Sequence, residues 1–334
     1  MIRFLRILLC VAVLSPLLVA QTTLNAAGAT FPYPIYSKWF SEYHNAHSDV
    51  QVNYQSIGSG GGIRQVLAGT VDFGASDGPM TDEQLAQAKF KILHIPTVLG
   101  SVVPAYNVPG VSADLKFSPD VLADIFLGKI TTWNDERIKK LNPGISLPST
   151  EIVVVHRSDG SGTTYIFTDY LSKVSPEWKA SVNKGTSVNW KVGMGGKGNE
   201  GVAGYIRNIQ GSIGYVELIY ALQNKIAYGS VRNSAGNYVK ATLASTTAAA
   251  AGVQIPADYR VSITNAPGKE AYPISSFTWL LVPQQSRDPN KGRIIREFVE
   301  WMATGGQSFT TNLSYAPLPK EVTQKILVTA KSIK

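Results

Sequence analysis

The sequence is poor in the residues that disulfides, metal sites and hydrolases most often use. Its single cysteine, Cys10, lies near the N-terminus, and only four histidines occur among 334 residues. His44 and His47 have a helical spacing, but no third ligand is evident near them, and zinc sites need three or four. We therefore expect no disulfide, no metal and no cofactor, and the sequence offers no clear acid–base pair for catalysis.

Long apolar runs are also scarce. The clearest, residues 7–19, follows Arg3 and Arg6 and precedes the small residue Ala20, which is the pattern of a secretory signal peptide. We expect residues 1–20 to be that signal peptide, with cleavage there or near Ala26; an uncleaved N-terminal anchor is the alternative. No other run of about 18 apolar residues occurs, so no membrane span is expected after it.

Charge is not concentrated in blocks of one sign. Without the two signal-peptide arginines, 29 basic residues stand against 23 acidic ones, a net charge of +6. No basic segment with interleaved aromatic residues occurs, so nucleic acid is not an expected partner. A modest positive field favours a small anionic ligand, and the length of the chain allows two domains or lobes.

Strand and helix patterns alternate along the chain, which predicts an α/β fold with parallel sheets covered on both faces. Residues 97–108 form a valine- and alanine-rich strand pattern that is a candidate to cross between two lobes, and residues 241–251 predict a plain surface helix. Ligands of such folds bind beyond the C-terminal ends of the strands, so we expect the glycine-rich turns to lie at equivalent edges.

The most informative stretch is residues 157–164, which read Arg-Ser-Asp-Gly-Ser-Gly-Thr-Thr. A β-branched run at 152–155 precedes it and an amphipathic helical pattern follows it. A glycine-rich turn at a helix start presents free backbone N–H groups and the positive end of the helix dipole. Arg157 and the hydroxyls of Ser161 and Thr163 add further donors, so the expected ligand is an oxyanion.

Two further turns have similar chemistry. Ser59 lies in the sequence Gly-Ser-Gly-Gly-Gly at 58–62, between a strand pattern and a helix pattern, and glycine lets the backbone approach a ligand closely. Thr30 either caps the next helix or, together with the N–H of Phe31, faces the ligand. Asp77 follows a third strand and either caps a turn or provides an acceptor among these donors.

An acceptor at Asp77 would discriminate between anions. A carboxylate beside an anion repels it unless a proton lies between them, and hydrogen phosphate has such a proton whereas sulfate does not. Unpaired polar groups of this kind can reject a ligand by roughly 10⁴–10⁵-fold. Arsenate has the protonation pattern of phosphate and is not expected to be excluded as well. Asp159 is expected either to brace Arg157 or to serve only as a turn residue.

Two short motifs carry little weight. Residues 193–198 match the dinucleotide fingerprint and Glu217 has a suitable spacing, but the preceding strand pattern is short and polar, so we predict a loop leading into a helix. Residues 160–162 match only part of a nucleophile elbow, because Thr163 replaces its last glycine.

His156 ends a strand beside Arg157, and its side chain is expected to point away from the ligand.

Four spaced segments, 27–32, 58–62, 72–77 and 157–163, resemble the signature segments of the periplasmic phosphate-binding proteins, the receptors of high-affinity phosphate ABC importers. Segments 133–135 and 195–199 match as well, and the resemblance covers nearly the whole chain after residue 20. It implies that the ligand contacts are Thr30, Phe31, Ser59, Asp77, Arg157, Ser161, Gly162 and Thr163, with Asp159 paired to Arg157.

The resemblance further implies a two-lobed type II periplasmic-binding-protein fold, with mostly parallel sheets flanked by helices. Lobe I would comprise residues 21–104 and 272–334, and lobe II residues 105–271, with hinge crossings near 101–107 and 270–275. The expected function is that of a monomeric periplasmic receptor without catalytic activity, which closes around inorganic phosphate and delivers it to a membrane permease. A receptor for another tetrahedral oxyanion and a secreted phosphoryl-processing hydrolase are the alternatives.

Overall fold

A computed structural model describes residues 21–334; the predicted signal peptide at 1–20, with Cys10, lies outside the described residues. The strands are β1 (Thr22–Gly28), β2 (Val50–Ser56), β3 (Phe73–Ser76), β4 (Ile92–Asn107), β5 (Lys116–Phe117), β6 (Val153–Arg157), β7 (Met194–Gly196), β8 (Ser212–Glu217), β9 (Ala227–Tyr228), β10 (Ser230–Arg232), β11 (Tyr238–Val239) and β12 (Ser275–Pro283). The helices are α1 (Tyr33–Ala46), α2 (Ser59–Ala68), α3 (Asp82–Ala86), α4 (Pro119–Phe126), α5 (Glu136–Leu141), α6 (Gly162–Val174), α7 (Pro176–Ser181), α8 (Gly198–Asn208), α9 (Leu218–Gln223), α10 (Leu243–Ala250), α11 (Pro289–Ala303) and α12 (Lys320–Ala330). Across residues 21–334, no helix has the length and apolar character that a membrane crossing requires.

Most strands belong to one continuous sheet in the order β2-β1-β3-β12-β4-β8-β6-β7, with β9 paired to β4. We call lobe I the part built on β2, β1, β3, β12 and the start of β4, and lobe II the part built on the end of β4 with β8, β6, β7 and β9. Parallel pairs lie at both flanks, where β1 joins β2 and β3, and β6 joins β7 and β8. The predicted α/β class is confirmed. Every antiparallel pair of this sheet includes β4 or β12. The chain leaves lobe I along β4 and returns to it at β12, and the two strands lie side by side in opposite directions.

β4 is one 16-residue strand that runs through both lobes, in agreement with the pattern at 97–108. Its first part pairs with β12 and its last part with β8, and the partner changes between Ser101 and Val102. The N–H of Val102 donates to the carbonyl of Ile274 at 2.8 Å. The two segments expected to form the hinge therefore lie side by side.

Each lobe buries an aromatic cluster of its own. In lobe I the rings of Phe40 on α1 and Phe298 on α11 lie 5.5 Å apart. In lobe II the rings of Phe167 on α6 and Tyr215 on β8 stack at 4.5 Å. Burial of one such side chain stabilises the fold by about 1.5–3 kcal/mol. The two aromatic clusters belong to one continuous apolar core, which also contains the buried residues of β4 and β12.

Two local predictions are wrong. The segment 241–251 does not form a plain surface helix, because α10 buries Thr246 and Ala249, and Thr246 Oγ1 lies 2.7 Å from Ser101 Oγ on β4. Its small side chains allow α10 to pack closely on the crossing strands. The segment 193–198, predicted as a loop, contains β7, a three-residue edge strand that is too short to give a periodic pattern.

Candidate anion-binding site

The predicted donors lie where strands end and the following helices begin. Thr30 and Phe31 follow β1, Ser59 opens α2 after β2, and Arg157 ends β6 just before α6. Within each lobe these strands are parallel, so their C-terminal ends meet at one edge. The two edges are in contact, since the N–H of Gly60 donates to the carbonyl of Gly160 at 2.8 Å.

The structure brings the eight predicted site residues together in the closed interior between the lobes. Arg157 is only 3% exposed and Asp77 only 1%. Phe31 is fully buried, and its carbonyl accepts a hydrogen bond of 2.6 Å from the Tyr315 hydroxyl. A cation and a carboxyl at this depth are costly unless partners compensate them.

Asp159 holds the guanidinium of Arg157 at two points. Arg157 Nε donates to Oδ1 at 2.8 Å and Nη2 donates to Oδ2 at 2.5 Å, while the N–H of Gly198 also donates to Oδ1 at 3.0 Å. Burial raises the pKa of Asp159, but the hydrogen bonds and the charge of Arg157 outweigh it and hold this pKa below its ordinary value. The carboxylate therefore fixes the plane of the guanidinium and offsets part of its charge.

The start of α6 is capped by one of the predicted donors. Ser161 Oγ accepts from the N–H of Thr164 at 3.0 Å, and the N–H of Ser161 donates to the carbonyl of Thr186 at 2.7 Å. The hydroxyl hydrogen of Ser161 is left for another acceptor. Gly162 and Thr163 open the helix, where first-turn N–H groups have no acceptor within the helix.

Gly162 is the point where lobe II touches the acceptor of lobe I. A Cβ built on Gly162 would lie 2.5 Å from the Cβ of Asp77 and 2.5 Å from Ser59 Oγ. No side chain fits there, so the closed arrangement requires glycine. The helix α2 that carries Ser59 follows Gly58, whose φ of +84° is a backbone conformation that glycine adopts readily.

Thr30 does not cap the helix that follows it. Pro32 precedes α1 and no side chain caps that helix. Thr30 Oγ1 instead accepts from the backbone N–H of Asn199 at 3.2 Å and from its Nδ2 at 2.8 Å. The carbonyl of Thr30 accepts from the hydroxyl of Tyr220 at 2.6 Å. Thr30 therefore closes the N-terminus of α8, a helix of the opposite lobe.

Asp77 is an acceptor inside the site and not a turn cap. Thr278 Oγ1 donates to its Oδ1 at 2.7 Å, its N–H donates to Ser59 Oγ at 3.2 Å, and the hydroxyl of Ser76 holds the turn after β3. Burial raises the pKa of Asp77 to about 7, against the hydrogen bond from Thr278 and the charge of Arg157. The carboxyl can therefore hold or release a proton near neutral pH.

Sequence reasoning missed three residues that form hydrogen bonds to predicted site residues. Asn199 and Tyr220 bind Thr30 across the lobes, and Thr278 binds Asp77 within lobe I. Asn199 could have been found from the sequence, because it follows Gly198 at the start of a helix. Several of the predicted donors likewise follow a glycine at the start of their own helices. Thr278 is a polar residue in an apolar strand, whereas nothing local distinguishes Tyr220.

The histidines take structural positions. The ring of His156 stacks on Trp190 at 4.8 Å, and His44 Nδ1 lies 2.6 Å from the carbonyl oxygen of Val50. Within residues 21–334 there is no group of three or more histidine, cysteine, aspartate or glutamate side chains that could hold a metal ion.

Comparison with known proteins supplies independent evidence. A family model described as a PBP superfamily domain matches residues 19–305. The phosphate-binding protein PstS of Pasteurella multocida is 50% identical over 307 residues, which cover 91% of this chain and 88% of that protein. The protein of the same name from Xylella fastidiosa is 47% identical over 306 residues, covering 91% and 83%.

A solved structure of a high-affinity periplasmic phosphate-binding protein, PfluDING, bound with phosphate, has the same fold. Its TM-score is 0.76 at 23% identity, with 92% of this chain and 93% of that chain covered. At that identity the similarity supports the two-lobed architecture alone. The sequence relatives are named as phosphate-binding proteins.

Proposed function

We propose that this chain, which belongs to the family of phosphate-binding proteins, is a receptor that captures hydrogen phosphate between its two lobes. The names of its sequence relatives support this ligand. The observation that carries the proposal is the convergence of donors from both lobes around the buried carboxyl of Asp77. A tetrahedral dianion that carries one proton matches this arrangement.

The proposed ligand contacts are hydroxyls, backbone N–H groups and one guanidinium. They belong to Thr30, Phe31, Ser59, Arg157, Ser161, Gly162 and Thr163, with Asp77 as the acceptor. Each charge-assisted hydrogen bond of this kind contributes about 1.5–3 kcal/mol. Peptide dipoles at the starts of α2 and α6 supply much of the positive potential, so a single cation suffices even though Asp159 offsets part of its charge.

Asp77 would discriminate phosphate from sulfate through one proton. Ionised Asp77 accepts the proton of hydrogen phosphate, whereas fully ionised sulfate would place two unprotonated acceptors against each other in a buried site. The raised pKa of Asp77 sets the pH range of this selectivity, because below about pH 7 the carboxyl increasingly carries its own proton. Sulfate rejection is therefore expected to weaken in acid.

Capture would proceed by closure about the two crossing segments. The proposed lobes are residues 21–104 with 272–334, and residues 105–271. Contacts such as the Gly60–Gly160 backbone hydrogen bond form only when the lobes meet. Phosphate would add bonds to both lobes and so favour the closed form.

The remaining parts of the proposal concern the cellular role. The receptor would work in the periplasm as a monomer, without catalysis, and its closed form would deliver phosphate to the membrane permease of an ABC importer. A secreted address is supported by the sequence pattern at 1–20. The class of the named relatives supports a role in binding.

The test is a calorimetric titration of refolded, phosphate-stripped protein with phosphate and then with sulfate at pH 8. We expect tight one-to-one binding of phosphate and no heat with sulfate. The Asp77→Asn variant is expected to lose sulfate rejection. Equal binding of both anions by the wild-type protein would refute the role of Asp77, and binding of neither would refute the phosphate receptor.

A chromogenic phosphate ester tests the absence of catalysis. Incubation over hours is expected to release no colour, and turnover that follows the purified protein would favour the hydrolase alternative.

A further inference from the structure

Asn199 joins two of the proposed phosphate donors from opposite lobes. Its Nδ2 donates to Thr30 Oγ1 at 2.8 Å and to Thr163 Oγ1 at 3.1 Å. The side chain is fully buried at the second residue of α8. A primary amide has two N–H donors, so both are engaged.

The orientation of this amide is fixed by a third contact. The backbone N–H of Glu217 donates to Asn199 Oδ1 at 3.0 Å. An exchange of oxygen and nitrogen in the amide would place an N–H group against this donor, so Nδ2 must face the threonines. Asn199 is thereby held as a donor toward both hydroxyls.

The hydroxyls of Thr30 and Thr163 can interact with a ligand in only one way. A hydroxyl has two acceptor sites and one hydrogen. Thr30 Oγ1 accepts from the backbone N–H and from Nδ2 of Asn199, while Thr163 Oγ1 accepts from Nδ2 and from Nη1 of Arg157 at 3.3 Å. Because both acceptor sites of each hydroxyl oxygen are in use, each hydroxyl can interact with a ligand only as a donor.

We propose that Asn199 is a positioning residue that sets the polarity of the site: by donating to Thr30 and Thr163 it forces both hydroxyls to donate to the bound anion. This inference rests on the proposed function. Asn199 lies outside the proposed ligand contacts, but it would contribute to specificity. Without it, each threonine hydroxyl could rotate and either donate to a ligand or accept from one. A bridging role between the lobes is the simpler alternative.

The decisive variant is Asn199→Asp, studied by phosphate titration at pH 8.5. It retains an oxygen for the N–H of Glu217 and replaces Nδ2 by an oxygen, which accepts from the threonine hydroxyls and turns them away from the ligand. Loss of two charge-assisted bonds weakens phosphate binding by about a hundredfold or more. Repulsion between the new carboxylate and phosphate would also weaken binding, so a second change has to separate the two causes.

Thr163→Val supplies that separation as a double-mutant cycle. In the wild-type background it removes a donor to phosphate and raises Kd about tenfold or more. In the Asn199→Asp background the hydroxyl no longer faces phosphate, so the same change is expected to cost less than about twofold. Equal costs in both backgrounds would mean that repulsion alone acts, and would overturn the inference.

If Asn199→Asp does not fold, a second pair of variants tests the same inference. Asn199→Ala frees both hydroxyls and is expected to raise Kd about tenfold, whereas Tyr220→Phe removes an inter-lobe bond to Thr30 without touching its hydroxyl and should change Kd less than about threefold. Equal losses would show that Asn199 only bridges the lobes. Wild-type protein that binds no phosphate would instead refute the proposed function itself.

Discussion

The phosphate-free protein is expected to lose stability between about pH 4 and pH 7 through Asp77. This carboxyl is 1% exposed, and burial raises its pKa from 3.8 to about 7. An acid with a raised pKa in the folded state stabilises that state fully below its ordinary pKa, and this contribution disappears as the pH rises through the raised value. Stability should therefore fall as the pH rises. The Asp77→Asn variant removes the ionisable group and with it this dependence.

The pKa values set the magnitude. The interval from 3.8 to about 7 corresponds to about 4 kcal/mol at 1.36 kcal/mol per pH unit. Between pH 5 and pH 8 the free energy of unfolding of the variant should rise relative to the wild type by about 2.5 kcal/mol. Opening of the lobes about the hinge would also let water reach the carboxyl. This figure is therefore an upper limit for the change in the free energy of unfolding, and the rest of the pH effect should appear as a more open protein.

The assay compares phosphate-stripped wild-type and Asp77→Asn proteins at pH 5 and pH 8 by thermal unfolding and by small-angle scattering. The Tm difference in favour of the variant should grow by on the order of 5 °C, and the wild type should be the more open protein at pH 8. His94, whose pKa is lowered by burial to about 4, titrates in both proteins and cancels in the difference.

Two results would refute this reasoning. If both proteins show the same dependence on pH, the carboxyl of Asp77 is not the titrating group. If the variant is relatively less stable at pH 8 than at pH 5, ionised Asp77 stabilises the site, and the attraction of Arg157 outweighs burial. Phosphate should remove the difference in opening, because the bound anion supplies the proton that the carboxyl lacks.

Two further substitutions test the packing of the site and of lobe II. Gly162→Ala places a Cβ 2.5 Å from the Cβ of Asp77, so closure should fail and phosphate Kd should rise about a hundredfold or more by calorimetry, whereas Gly204→Ala, which meets no atom within 4 Å, should leave it unchanged. Asp169→Asn should lower the free energy of unfolding in urea by about 1–3 kcal/mol at pH 7 and less near pH 2. Burial raises the pKa of Asp169, but hydrogen bonds, chiefly from Lys184, lower it to about 2; an equal loss at both pH values would contradict this account.

Local patterns predicted the strand–turn–helix units well. The β-branched run before Arg157 became β6, the helical pattern after the turn became α6, and the valine-rich stretch became the crossing strand β4. These elements follow from residues close in sequence, whose spacing alone indicates which face is buried. Short elements such as β7 escaped because three residues give no period.

The partners of the site residues could not be predicted in the same way. Thr30 has the sequence signature of a helix cap, yet it binds Asn199, 169 positions away, and Asp77 binds Thr278, 201 positions away. No local rule distinguishes a hydroxyl that caps its own helix from one that meets another lobe. The first pairing depends on how the lobes pack, and the second on how β12 returns beside β3 within lobe I.

The sequence by itself determined the chemistry available to this protein. It placed hydroxyls, glycines and one arginine near helix starts and one acceptor at Asp77, and it contains no cysteine after residue 20 and only four histidines. The tertiary structure decided how that chemistry is arranged, because burial raises the pKa of Asp77 and the contact between the lobes places Thr30 against Asn199. Both depend on solvent exclusion and long-range contacts, which exist only once the chain has folded.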